Sequence, residues 1–201
     1  MQIRAPAILC ASRSHGEHGA VLRLLTADHG LLAGFCAGAR GRRLRPLLIP
    51  GNLLALELTA RTASQLPFAR IELTGSRGPL LGEPLASAGI AWATALTAAT
   101  LPEGEPYPAV HAGLSALLEA ICQAPSARGW AVALAAYETL LLRELGYGGL
   151  PPQCGESWPA LLARLERQGR LLDERLLAGA RGDAMGARAI LLDRLKRIEG
   201  G

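Results

Sequence analysis

Short apolar segments separated by turn-forming residues make up the first eighty residues. The predicted strands are Ile3–Ser12, Ala20–Thr26, Leu31–Ala37, Asn52–Thr59 and Gln65–Thr74. Glycine, proline and aspartate lie between them, as is typical of tight connections between strands. Because five short strands without an intervening helix leave exposed edges unless the sheet closes, the pattern predicts a small closed barrel. An OB-like barrel is the leading fold.

After residue 82 the apolar spacing changes to a helical period. The predicted helices are Pro84–Leu101, His111–Cys122, Trp130–Leu145, Trp158–Gln168 (capped by Ser157 and ended by Gly169) and Ala184–Ile198. In the last helix we expect Ile190, Leu191, Leu195 and Ile198 to face inward, with Arg188, Asp193, Arg194 and Arg197 on the opposite side. The predicted class is α+β: an OB-like barrel over residues 1–80 followed by an all-α helical domain over residues 81–201.

The composition favours a cytoplasmic protein with a substantial core. The chain has 201 residues, of which 50% are hydrophobic, and this excludes disorder as an overall description. Its four cysteines form no CxxC pair, and no secretory signal is apparent. The uncharged stretch 84–102 contains few strongly apolar residues, so it predicts a buried helix rather than a membrane span.

Positive charge is concentrated in the N-terminal part. Residues 1–80 contain ten arginines and four acids, whereas the whole chain has a net charge of only +4. The remaining residues are therefore slightly acidic. A polyanion is the first partner to consider for the barrel.

Four arginines in six residues form the strongest local signal. Arg40, Arg42, Arg43 and Arg45 follow the third predicted strand, where we expect a flexible loop. Arginine binds phosphate in a bidentate fork, and four neutralised phosphates give a salt slope of roughly −3. A solvated loop that contributes only to solubility is the alternative. Arg13, His15, His18 and Arg23 are expected to extend this basic, polyanion-binding surface.

Aromatic side chains are scarce in the barrel, where only Phe35 and Phe68 occur. Both lie in predicted strands and are expected in the core. Proteins that bind single strands usually stack bases on aromatic rings. If the barrel binds nucleic acid, we therefore expect it to contact mainly the backbone, with little sequence preference.

The chain carries no recognisable catalytic motif. His15, Glu17 and His18 have the spacing of a turn and lack a third strong metal ligand nearby, so a metal-dependent hydrolase is a weak alternative. A phosphate-binding GxxxxGK[ST] loop and a GxSxG motif are both absent. We therefore expect a binding protein without enzymatic activity.

Two segments resemble the RecO family of recombination mediators. The first runs from Arg13 to His18, continues through residues 24–34 (LLTADHGLLAG) and ends at Gly38-Ala39-Arg40. The second is Tyr137–Gly148 (YETLLLRELGYG). They lie in the two halves of the chain, in the order in which that family has them.

The resemblance implies a DNA-repair protein that binds single- and double-stranded DNA and anneals complementary strands. It also implies action with RecR to load RecA onto strands coated by single-stranded DNA-binding protein (SSB), and association with the nucleoid. Within the family the acidic tail of SSB docks on the helical domain. This makes Arg128 and Arg143, which lie beside an apolar stripe, candidate contacts for that tail. Surface arginines that border a bundle core are the alternative for this pair.

The sequence departs from the family at its zinc module. Many relatives have four cysteines after the Gly-Tyr-Gly turn, whereas this chain has only Cys154 there. One thiolate cannot build a tetrahedral site, so we expect no metal and a shortened C-terminal part. An RNA- or ribosome-associated OB protein, or a scaffold that binds only proteins, remains an alternative function.

Overall fold

Five strands begin the fold of this protein, which is described by a computed structural model covering residues 2–60, 62, 65–153, 155–178 and 184–198. The strands are β1 (Gln2–His15), β2 (Gly19–Thr26), β3 (Gly30–Cys36), β4 (Leu53–Thr59) and β5 (Phe68–Gly75). All five predicted strands are present. The first extends to His15, and the fifth begins at Phe68 rather than at Gln65.

The strands form a closed barrel in the order β1-β2-β3-β5-β4. Neighbours are antiparallel except β3 and β5, which run parallel where Phe35 lies opposite Phe68. The long β1 pairs with β4 through its first half and with β2 through its second half, and its register shifts between Leu9 and Ala11. Such a bulge bends a strand and lets it serve both sides of the closure. The predicted OB-like barrel is confirmed.

The two faces of the barrel wall bury different sets of apolar residues. Small and branched side chains such as Leu9, Leu22 and Leu58 fill the interior. The outward-facing Ile8, Cys10, Leu25 and Leu31 instead join the core of the helical region. The barrel and the helices therefore share a packed boundary, and part of the outer surface of β1, β2 and β3 is covered by helices.

Five α-helices follow within the ranges given above: α1 (Pro84–Thr100), α2 (Pro108–Gln123), α3 (Ala131–Glu144), α4 (Trp158–Leu172) and α5 (Ala184–Arg197). The predicted order of helices is confirmed. Ser157 caps α4 through a hydrogen bond from the Ala160 amide to its hydroxyl. The uncharged α1 is packed inside the protein, with Trp92 and Leu96 fully buried. Within the described residues, no helix is long and apolar enough to cross a membrane.

The prediction that Gly169 ends the fourth helix is wrong. α4 continues to Leu172 and passes into a π-helical turn at Asp173–Leu177. A side chain at Gly169 would overlap the guanidinium of Arg188, which lies directly against this position. The glycine is required here because another side chain approaches the helix closely, not because the helix stops.

The predicted inner face of the last helix is also wrong in two positions. Ile190 is 54% exposed, whereas Arg188, expected on the outside, is 3% exposed. Ala184, Arg188, Leu191 and Leu195 recur at helical spacing and form the buried stripe of α5. The stripe was not recognised in the sequence because one of its four members, Arg188, is charged and was therefore expected on the solvent side.

A buried carboxylate on α3 explains the position of Arg188. The Nη2 of Arg188 donates to both carboxylate oxygens of Glu138, at 3.1 and 3.0 Å, and the Nε of Arg188 donates to Oε1 at 3.2 Å. The indole of Trp92 donates to the same Oε1 at 2.8 Å. Burial raises the pKa of Glu138, and the positive charge of Arg188 and the hydrogen bonds from Arg188 and Trp92 act against that shift. This network joins α1, α3 and α5.

Candidate nucleic-acid interface

The basic loop, residues 37–52, connects β3 to β4 and carries the four clustered arginines. Arg40, Arg42, Arg43 and Arg45 are all exposed. Within the described part of the chain, none of these four side chains forms an ion pair or a hydrogen bond. Four neighbouring guanidinium groups that have no partner among these residues can donate hydrogen bonds to the oxygens of an anionic ligand.

The backbone of the basic loop is closed by turns. The amide of Gly41 donates to the Gly38 carbonyl at 2.8 Å, and the amide of Arg45 donates to the Gly41 carbonyl at 3.0 Å. Leu44, Leu47 and Leu48 pack on the barrel core. Leucines therefore hold the loop on the barrel while the arginines between and beside them remain in solvent.

Asn52 fastens the far end of the basic loop. This residue is fully buried, and its Nδ2 donates to the carbonyls of Pro46 and Leu47 at 3.1 and 3.0 Å. Its Oδ1 accepts from the amide of Arg77 at 2.8 Å. One side chain thus connects the basic loop to the segment that leads into the helices.

The predicted residues of the first hairpin lie at the same end of the barrel as the start of the basic loop. His15 pairs with Gly19 across the hairpin, and Ala20 pairs with Cys36, the last residue before the loop. Arg13, His15 and His18 are exposed. The register of the strands therefore brings two basic segments, far apart in sequence, to one end of the barrel.

Arg23 has a different environment from the other predicted residues. It forms an ion pair with Glu103, beyond α1, and its Nη2 donates to the carbonyl of Ala98 at 3.3 Å. These contacts hold β2 against the helical region. A DNA contact by Arg23 stays a prediction, and the ion pair makes this side chain less available than the loop arginines.

Glu57, an acidic residue of the barrel, also forms an ion pair. Arg4 binds Glu57 with an Nη2–Oε1 distance of 2.8 Å. Hydrogen bonds from Arg4 and Gln2 lower the pKa of Glu57. The charge of this carboxylate is balanced by a neighbour, so it does not neutralise the basic loop.

The expectation that both phenylalanines lie in the core is wrong. Phe68 is 60% exposed, and Phe35 is only partly buried on the outer face of β3. Because side chains alternate along a strand, Ala69 faces the interior and places Phe68 outside. The ring centroid of Phe35 lies 5.7 Å from that of Phe68 and 5.9 Å from that of His15. Three residues distant in sequence thus form one aromatic group.

A metal centre is not formed by the residues that the structure describes. No group of three histidine, cysteine or acidic side chains within them is close enough to hold an ion. Glu17 and His18 are both exposed at the hairpin, 4.0 Å apart. Cys154, on which the expectation about the zinc module depends, lies outside the described residues.

The two predicted partner-binding arginines lie at opposite ends of α3. Arg128 precedes the helix, and its guanidinium lies over the ring of Trp158 at 5.0 Å. Arg143 is exposed in the last turn of α3. With a rise of about 1.5 Å per residue, the two are about 20 Å apart along the helix. They cannot hold one carboxylate together, but an extended acidic peptide could reach both.

Comparison with known families matches both halves of the chain. Residues 1–77 match the family described as Recombination protein O N terminal. Residues 81–154 match Recombination protein O C terminal. The chain belongs to the RecO family. The two matches include the barrel with its basic loop, α1, α2 and α3, whereas α4 and α5 lie beyond the matched range.

Curated members of the RecO family are similar to this chain over about three-quarters of its length. The DNA repair protein RecO of Phenylobacterium zucineum is 39% identical over 150 residues, covering 74% of this chain and 60% of the relative. Those of Caulobacter vibrioides and a Ruegeria species are 39% and 40% identical, covering 60% and 61% of the relative. The chain thus matches about three-fifths of the length of these RecO relatives.

Proposed function

We propose that this chain binds single- and double-stranded DNA through the basic end of its barrel and acts in DNA repair by homologous recombination. The observation that carries the proposal is the set of four exposed arginines that have no partner in the part of the protein that the structure describes, held on an OB-type barrel. Membership of the RecO family, whose curated members are named DNA repair proteins, supports it. We place this activity in the cytoplasm, at the nucleoid.

Annealing of complementary strands follows from charge neutralisation. Two DNA backbones repel each other, and cationic side chains that replace condensed counterions reduce this repulsion. The basic loop could serve one strand and the hairpin residues Arg13, His15 and His18 another. No bond is made or broken in this process, so we propose a mediator rather than an enzyme.

The helical region is proposed to recruit protein partners. RecR and the acidic tail of SSB are the proposed contacts, and through them the chain would help to load RecA. Arg128 and Arg143 offer positive charge at both ends of the partly apolar surface of α3. An extended tail along the helix suits their separation better than a compact one.

The test of DNA binding is the replacement of Arg40, Arg42, Arg43 and Arg45 together by alanine. We expect affinity for a single-stranded oligonucleotide at low salt to fall at least about tenfold, and the salt slope to flatten by roughly 3. Fluorescence anisotropy titrations at several salt concentrations measure both quantities.

A matched control removes the same charge from the helical half. Arg167, Arg170, Arg175 and Arg197 are also exposed. Their joint replacement by alanine is expected to leave the salt slope close to that of the unmodified protein. Equal slopes for the loop variant and the unmodified protein would refute the assignment of the basic loop.

The proposed mediator activity has its own measurement. Complementary oligonucleotides covered with SSB are expected to anneal faster when the protein is added, and the loop variant is expected to lose this effect. A preference for structured RNA in competition, without any acceleration of annealing, would instead support the RNA-binding alternative.

A further inference from the structure

An exposed aromatic group, formed by His15, Phe35 and Phe68, lies on the outer wall of the barrel. Both phenylalanines belong to neighbouring strands, and the register places them directly opposite each other. The Phe35 ring meets the ring of His15 at 78° and that of Phe68 at 80°, both in edge-to-face contact. Phe35 therefore supports the other two rings, and Phe68 presents its surface to solvent.

The surrounding structure fixes the orientation of these rings. The Phe35 ring lies against Gly19 so closely that a Cβ at that position would overlap it. The amide of Phe35 donates to the carbonyl of Pro67 at 2.7 Å, which holds the start of β5 beside β3. The aromatic group is thus built on rigid strands and does not depend on a loop.

The exposure of Phe68 is informative because its ring belongs to an aromatic group, whereas a single apolar residue scattered on a surface is ordinary. The barrel core is already filled by smaller side chains, including Ala69, which is adjacent to Phe68 in sequence. The ring is also not covered by the helices, because those pack against Leu25 and Leu31 at the opposite end of β2 and β3. Phe68 is therefore an apolar surface that the fold itself leaves uncovered.

We propose that this aromatic group is a stacking platform for the unpaired bases of single-stranded DNA. This inference rests on the proposed DNA binding and assigns the bases to a surface separate from the phosphates. Aromatic rings stack with every base, because each base has a π face. The bases of a duplex are already stacked and paired, so the platform would act only on single strands.

The charge around the aromatic group favours a nucleic acid over an apolar protein surface. Arg13 and His15 lie on the same hairpin, and the basic loop begins directly after the strand that carries Phe35. Arg40 follows Cys36 by only four residues, which span at most about 14 Å. A single strand could therefore hold its phosphates at the arginines while it turns a base towards Phe68.

The scarcity of aromatic residues in the barrel predicted binding mainly through the nucleic-acid backbone. A stacking platform adds a contribution from the bases. A contact only with the backbone would make affinity independent of the bases. With the platform, we expect single strands with bases to bind more tightly than strands of equal charge that lack them. Preference among the four bases would remain small, because stacking tolerates any base.

The test compares Phe68→Ala with the unmodified protein on three ligands: oligothymidylate, an abasic strand of the same length, and a duplex. The unmodified protein is expected to bind oligothymidylate about five- to a hundredfold more tightly than the abasic strand, and Phe68→Ala to lose that difference. Affinity for the duplex is expected to stay within about twofold. The salt slope is also expected to be unchanged, because stacking releases no counterions.

Two further variants separate stacking from a general loss of apolar surface. Leu73→Ala removes an exposed apolar side chain, 41% accessible, from the same strand and is expected to bind all three ligands as the unmodified protein does. Phe68→Trp keeps a stacking face, so it is expected to retain affinity. Its emission should be quenched by oligothymidylate more strongly than that of the unmodified protein.

Each outcome decides one claim. Equal affinity of the unmodified protein for oligothymidylate and the abasic strand would overturn the platform and leave the proposed phosphate binding intact. Absence of binding to all three ligands would overturn the proposed function itself. Loss of affinity for the duplex in Phe68→Ala, to the same degree as for single strands, would also overturn the platform, because it would show a general effect on the interface.

Discussion

The barrel and the helical region use arginine in opposite ways. In the basic loop, Arg40, Arg42, Arg43 and Arg45 are exposed and have no ion-pair partner among the described residues. In the helical region, Arg188 is buried and binds both oxygens of Glu138, and Arg164 binds Glu156 at 2.9 Å. The loop arginines keep their N–H donors available for a ligand, whereas Arg164 and Arg188 use theirs to bind carboxylates of the protein itself.

This difference shows that residue type alone does not assign a role to an arginine. A guanidinium that is removed from water must find a partner inside the protein, because an unpaired buried charge is very unfavourable. A guanidinium in solvent has no such requirement. Clustered arginines without partners therefore indicate an anion-binding surface, and a single arginine on an apolar stripe indicates a buried pair.

The largest expected effect comes from breaking the buried pair. Replacing Arg188 by methionine leaves Glu138 buried without its cation, and we expect the free energy of unfolding to fall by about 3–5 kcal/mol. Urea denaturation followed by circular dichroism measures this loss. The double variant, which also carries Glu138→Gln, buries no charge and keeps an acceptor for Trp92, so it is expected to recover much of the stability. A double variant as unstable as the single one would contradict this explanation.

The loss in Arg188→Met is also expected to depend on pH. Burial already raises the pKa of Glu138, and removal of the guanidinium takes away the largest opposing influence. A carboxyl whose pKa is higher in the folded than in the unfolded state contributes stability at low pH, and this is lost as pH rises through the folded pKa. The stability difference from the unmodified protein should therefore be larger at pH 8 than at pH 5.

An intermediate effect is expected where the basic loop is fastened to the barrel. Asn52→Ala removes three hydrogen bonds and leaves the Pro46 and Leu47 carbonyls and the Arg77 amide without this partner. We expect a loss of about 1–3 kcal/mol in the free energy of unfolding and weaker DNA binding, although no arginine has been changed. Denaturation and anisotropy measure the two effects. Unchanged stability would show that Asn52 does not hold the loop.

The smallest effect on stability is expected in the basic loop itself. Arg42→Ala removes an exposed side chain that has no ion-pair partner in the described structure, so the free energy of unfolding should change by no more than about 0.5 kcal/mol. The same change is expected to flatten the salt slope of single-strand binding by roughly 0.7. A substantial loss of stability would remove the contrast between the two regions, because it would give this arginine a structural role.

Periodicity predicted most elements correctly, and its failures have physical causes. The five strands, the five helices and the OB-like barrel follow from the alternation of apolar residues and the positions of turn residues. The face of α5 was predicted wrongly because a charged residue was assumed to be outside. Glu138 gave a comparable signal on α3, since it lies at helical spacing from Leu134 and Leu141 in a buried stripe. Two opposite charges on two apolar stripes indicate that they pair.

The candidate interface was predictable only in part. The clustered arginines are adjacent in the chain, so their charge is visible without any structure. The aromatic group was missed because His15, Phe35 and Phe68 are brought together by strand pairing, and because the inward and outward faces of β5 were assigned from apolarity alone. The ion pair between Arg23 and Glu103 was missed for the same reason, since its partners are eighty residues apart.

The sequence by itself determined the order of the elements and the excess of positive charge in its N-terminal part. These properties depend on local periodicity and on residue counts. Only the tertiary structure decided which arginines remain in solvent, which phenylalanine is exposed and which residues meet at one end of the barrel. Burial and long-range pairing depend on neighbours that are distant in the chain, and no local pattern contains them.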